Sequence, residues 1–137
     1  VSGDKLTSLR QDTLVVRGHA LECRIYAEDP GKRFLPSPGK LECLQLPAET
    51  ANVRIDTGVR SGDTITAYYD PMIAKLICWG ETRASVLSVA ARALSESRID
   101  GISSNIDFLR KVIDHTAFRR GEVFTGFIDA YKTDLIT

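Results

Sequence analysis

The sequence predicts an α+β domain, a small antiparallel sheet from the first half of the chain packed against two main helices from the second half. Three observations carry this. Before residue 80, apolar and polar residues alternate at a period of two in several short segments. After it, apolar residues recur at three- and four-residue spacing. The hydrophobic content, 43% of 137 residues, is enough to bury one core. Basic and acidic side chains balance at 18 each, so no global field gathers nucleic acid or an anionic membrane surface. No apolar run approaches the roughly 20 residues that span a bilayer. Neither a nucleic-acid nor a membrane partner is expected.

Residues 1–13 (VSGDKLTSLRQDT) are polar and without period, which predicts a lead-in segment. The domain proper is drawn over 14–132, with a tail over 133–137. In LECRIYA (21–27), Leu21, Cys23, Ile25 and Ala27 alternate with Glu22, Arg24 and Tyr26, the pattern of a strand with one buried face. The stretch 28–40 (EDPGKRFLPSPGK) holds three of the five prolines and reads as an ordered loop. Segments 40–46, 52–57 and 64–69 read as strands separated by Pro47, Gly58 and the Ser61-Gly62-Asp63 cluster. MIAKLICW (72–79) has the length of a buried strand ended by Gly80.

The period then changes. Thr82 is an N-cap candidate, and Val86, Leu87, Ala90, Ala91 and Leu94 form the stripe of a helix of about four turns. Gly101 separates it from a second amphipathic helix over 105–114, with Ile106, Leu109, Val112 and Ile113 on one face. After an Arg119-Arg120-Gly121 turn, a short helix within 124–131 is expected to close the core. The cysteines, Cys23, Cys43 and Cys78, are odd in number, lack a CxxC and lie in apolar stretches. They read as buried free thiols in a reducing compartment.

A complete active site is not visible. GxxxxGK[ST], GxGxxG and GxSxG do not occur, and His19 and His115 stand apart without an HExxH pattern. Both histidines read as structural, and Glu28-Asp29 as a turn pair. One residue stands out. Arg54 lies mid-strand in NVRID, its neighbours Val53 and Ile55 facing the other way. A guanidinium fixed on a strand presents a rigid fork to a carboxylate, a phosphate or an enolate-like oxygen. From position alone, an outward arginine paired with Asp56 or Asp63 is the simpler reading.

Several blocks in order identify a family. GHALECRIYAEDP (18–30), FLPSPGKL (34–41), VRIDTGVRSGD (53–63), YYDPMIAKL (68–76) and DGISSNIDFL (100–109) together resemble the C-terminal domain of biotin carboxylases, and TGFI (125–128) resembles its closing motif. IYAEDP and YYDPMIAKL are most similar to the biotin-carboxylase subunits of acyl-CoA carboxylases of the propionyl-CoA and methylcrotonoyl-CoA types. The resemblance implies ATP- and bicarbonate-dependent carboxylation of biotin. It makes Arg54 the catalytic and biotin-binding residue, orienting the ureido oxygen and stabilising the charge that develops there.

Arg83 matches a family position at the subunit interface of dimeric biotin carboxylases, with a solvated first-turn arginine as the other reading. Lys75 is either a strand residue aimed at solvent or an interface residue, and Asp70 before Pro71 is expected to brace the turn into the apolar strand. The family's cofactors are biotin on a separate carrier domain, and ATP with Mg or Mn bound mainly outside this segment. Its partners are the ATP-grasp portion of the same enzyme, the biotin carboxyl carrier domain, a carboxyltransferase subunit and a second copy in a homodimer, in the bacterial cytoplasm or the mitochondrial matrix. The ATP-grasp residues and the carrier Met-Lys-Met are absent here, Met72 is the only methionine, and the chain starts at Val1. The chain therefore reads as one excised domain of an enzyme, expected not to turn over alone. The competing reading is a non-catalytic binding or subunit-interaction module of the same fold.

Overall fold

A computed structural model describes Gly3 and residues 9–136. The expected lead-in over 1–13 thus falls largely outside the described residues; within it, Gln11–Thr13 forms a single 3-10 turn. In chain order the elements are β1 (His19–Tyr26), β2 (Glu28–Asp29), β3 (Leu35–Pro36), β4 (Gly39–Lys40), β5 (Cys43–Gln45), β6 (Val53–Thr57), β7 (Thr64–Ile65), β8 (Met72–Gly80), α1 (Arg83–Glu96), β9 (Arg98–Asp100), α2 (Ile106–Asp114), α3 (Thr116–Arg120), α4 (Phe127–Ala130) and α5 (Lys132–Leu135).

The most apolar segment takes the most enclosed place. β8 lies between β1 and β6 and pairs antiparallel with both. Its inward residues Ala74, Leu76 and Cys78 join Cys23, Ile25 and Val53 in the core. α1 covers this face with Val86, Leu87, Ala90, Ala93 and Leu94. The stripe thus contains Ala93 where the spacing suggested Ala91: three and four residues beyond Ala90 lie 93 and 94, so Ala91 falls on the flank. Thr82 caps α1 through a reciprocal pair, the Ser85 N–H donating to Thr82 Oγ1 at 3.1 Å and the Thr82 N–H to Ser85 Oγ at 3.0 Å. α2 packs on α1 and β1, so the expected sheet under two main helices is present.

The irregular parts depart from expectation for identifiable reasons. The strand expected over 64–69 is only β7, and Tyr68 and Tyr69 are 92% and 81% exposed. Pro71 has no N–H to continue a ladder, and Asp70 accepts from the Met72 N–H at 3.1 Å, so the chain turns here into β8. The strand expected over 40–46 splits into β4 and β5 because both backbone groups of buried Leu41 are taken by the 62–63 turn. The proline loop contains the β2–β3 hairpin and two successive left-handed residues, Arg33 and Phe34. The Phe34 ring meets Phe108 edge-on at 5.0 Å, which ties that loop to α2.

In the second half of the chain three elements were not expected, β9, α3 and α5. β9 pairs with β5, and its turn needs Gly101: at φ +96 a Cβ would stand 2.2 Å from the Lys40 carbonyl oxygen. α3 ends at left-handed Gly121. α5 carries packed structure to Leu135, beyond the boundary drawn at 132, because Leu135 completes a second small core with Val112, Ala117 and Phe127.

Cys23 and Cys78 are buried and Cys43 half-buried, all free. Burial pushes the Cys23 thiol up to about 12 and the Cys78 thiol to about 11, from an ordinary value of 9.0. Above pH 9 the unfolded chain sheds these protons while the folded chain keeps them, so stability falls as pH rises toward 11–12. Denaturant titrations at pH 8 and pH 10.5 should show this loss, and Cys23→Ala should reduce the slope; an unchanged slope in that variant contradicts the assignment.

Candidate functional site

β6 is one of the two edge strands of the three-stranded sheet, and its alternation sets the site. Val53 and Ile55 turn toward the core while Arg54 and Asp56 point outward. The strand is held from both sides. Pairing with β8 sets Arg54 opposite Ile77 and Asp56 opposite Lys75. On the β8 side Thr57 Oγ1 also donates to the Ile73 carbonyl at 2.8 Å, and on the open edge the Ile55 N–H donates to Glu49 Oε1 at 2.9 Å. A side chain on this strand therefore projects from a fixed backbone.

Arg54 makes a two-pronged contact with Asp56: Nε donates to Oδ1 at 3.0 Å and Nη2 to Oδ2 at 3.1 Å. Of the two partners considered from sequence, Asp56 is the one used. Asp63 instead accepts from the Arg60 N–H at 3.0 Å within its own turn. The Arg54 side chain remains 70% exposed. Guanidinium has five N–H donors; Asp56 occupies the Nε side, which leaves the Nη1–Nη2 end facing outward. Lys75 also points outward, its Nζ 3.8 Å from Asp56 Oδ2. Across β8, Arg24 stands opposite Lys75 and donates to Glu22 Oε1 at 2.8 Å. Three cations and two carboxylates share this face, leaving one positive charge in excess.

Arg83 is elsewhere and differently engaged. Its Nε donates to the Phe118 carbonyl at 3.1 Å, Nη2 donates to the same oxygen, and the guanidinium lies over the Phe118 ring at 5.0 Å. The solvated first-turn reading is thereby corrected, because the side chain reaches the C-terminal turn of α3, where a cation is favoured, and shares the Phe118 carbonyl with the Gly121 N–H. His115 is packed against Phe127 and Tyr131. Among the described residues no group of three or more His, Cys, Asp or Glu is placed to hold a metal ion, and no helix is long and apolar enough to cross a membrane.

Asn105 was missed as more than a helix start. At 4% exposure it is the one buried polar residue among those described. Its Oδ1 accepts from the Tyr26 N–H at 2.9 Å, and Nδ2 donates to the Arg24 carbonyl and to Glu28 Oε1, both at 3.1 Å. The side chain thus fixes the end of β1 to the start of α2. Burial raises the Glu28 carboxyl above its ordinary value, partly offset by that Asn105 contact. SSN ahead of an apolar run was the only signal, and it suggests a cap rather than a clasp.

Solved biotin carboxylase domains share this α+β fold. The biotin carboxylase domain of Hydrogenobacter thermophilus 2-oxoglutarate carboxylase, solved as a dimer with MgADP, ADP and bicarbonate, is similar with a TM-score of 0.91 at 32% identity, over 97% of this chain and 29% of that one. A complete pyruvate carboxylase from Rhizobium etli matches with a TM-score of 0.86 at 36% identity, over 92% of this chain and 12% of that one. The chain belongs to the biotin carboxylase C-terminal domain family, whose model matches residues 22–130. It is 43% identical over 136 residues to the mitochondrial methylcrotonoyl-CoA carboxylase subunit alpha of Dictyostelium discoideum, covering 99% of this chain and 20% of the relative. The mouse mitochondrial propionyl-CoA carboxylase alpha chain is 44% identical over 134 residues, covering 93% and 18%. The chain thus spans about a fifth of the length of these curated relatives.

Proposed function

We propose that this domain forms the biotin-facing wall of a biotin carboxylase within an acyl-CoA carboxylase, and that Arg54 is its catalytic and biotin-binding residue. The observation that carries this is the free outward end of a guanidinium held by a paired strand, in a chain of this family. That end fits a ureido oxygen, which offers two lone pairs to two N–H donors. When bound, biotin supplies the ureido nitrogen that accepts the carboxyl group. Arg54 donates to the ureido oxygen and gains strength as negative charge gathers there, because the guanidinium keeps its charge and needs no reorganisation. Stabilisation that grows toward the transition state raises turnover more than binding.

ATP, Mg or Mn and bicarbonate are assigned to the ATP-grasp portion of the same enzyme, and biotin to a carrier domain that also visits a carboxyltransferase subunit. A homodimer through the biotin carboxylase remains the expected assembly, with Arg83 supporting the interface through its hold on α3. The relatives named above include mitochondrial proteins, in keeping with a matrix or bacterial cytoplasmic setting. The test is direct. The chain alone, given ATP, bicarbonate and free biotin, should neither release phosphate nor carboxylate biotin above a heat-killed control. Either reaction above that control overturns the assignment of ATP chemistry to the ATP-grasp portion.

A further inference from the structure

We infer that Asp56 is a positioning residue for Arg54, holding the Nε side of the guanidinium so that its other end meets the ligand. The inference rests on the reading of Arg54 proposed above. Both residues lie on the outward face of β6, two positions apart. The two contacts at 3.0 and 3.1 Å use both carboxylate oxygens and both donors of one guanidinium edge, which fixes the plane of the group as well as its place. A single contact would let it rotate.

Asp56 is itself held. It faces Lys75 directly across the ladder, and Nζ lies 3.8 Å from the oxygen that receives Arg54 Nη2. Lys75 also answers an electrostatic objection. A lone carboxylate beside Arg54 would cancel the charge that the reaction needs. With Lys75 on the far side, two cations surround one anion and the group keeps one net positive charge. Lys75 thus fixes Asp56, and Asp56 fixes Arg54.

The experiment is a double-mutant cycle in the full-length enzyme, with biotin carboxylation and bicarbonate-dependent ATP cleavage measured separately. Asp56→Asn keeps the shape and removes the charge. It should lower kcat for biotin carboxylation by about 10- to 100-fold, the scale of a misplaced reacting group, with a smaller change in KM for biotin and with ATP cleavage and melting temperature nearly unchanged. Asp56→Glu should recover part of the loss. Arg54→Gln/Asp56→Asn should be no slower than Arg54→Gln within about twofold, since Asp56 acts only through Arg54. A normal Asp56→Asn beside a damaged Arg54→Gln, losses that multiply in the double variant, or equal loss of both activities overturns the positioning role alone. A normal Arg54→Gln overturns the Arg54 reading and this inference together.

Discussion

Leu94→Ala is expected to cost about 2–5 kcal/mol of unfolding free energy, the range for truncating a leucine in a close-packed core. Leu94 is fully buried on the face of α1 that closes over β8 and β1. Its neighbours on the stripe, Leu87 and Ala90, are buried as well, and the paired strands beneath them limit how far the site can collapse around a void. Ser88, exposed on the opposite face, supplies the contrast: Ser88→Ala should change stability by no more than about 0.5 kcal/mol. Urea titrations of the two variants measure the difference. A Leu94→Ala loss below about 0.5 kcal/mol would place the stripe at the surface and break the sheet-under-helix account.

The larger functional effect is expected at Arg54. Arg54→Gln in the full-length enzyme should lower biotin carboxylation by about 100-fold or more, the scale seen when one oxyanion donor is deleted. Folding should hardly change, since the exposed pair with Asp56 contributes roughly 0–1 kcal/mol. Arg54→Lys should restore only part of the activity. A compact ammonium has no planar fork, so it cannot grip both oxygens of Asp56 and still present two donors to the ligand.

The regular elements were legible because periodicity and burial agree in them. LECRIYA alternates as a half-buried strand must, MIAKLICW is apolar enough to sit between two strands, and Thr82 with its stripe marks α1. Where backbone groups are claimed by distant partners, the local pattern misleads. Leu41 has the look of a strand interior, yet its N–H and carbonyl serve the 62–63 turn. β9 is three residues long and depends on pairing with β5, a contact that no local window contains. Arg83 follows a helix start, so sequence gives no reason for it to reach the end of α3. At the site, Arg54 was visible as a lone cation in an alternating strand. Its pairing with Asp56 was one of two options, and the link from Asp56 to Lys75 exists only in the register of β6 against β8.

The central claim is that Arg54 acts on biotin and not on nucleotide or fold, so the ratio of biotin carboxylated to ATP cleaved in Arg54→Gln tests it most directly. With bicarbonate present, ATP cleavage should remain near the unsubstituted enzyme's while biotin carboxylation falls by about 100-fold or more, so the ratio collapses with it. An unchanged ratio, with biotin carboxylation near normal, would contradict the claim and leave Arg54 as a surface residue paired with Asp56.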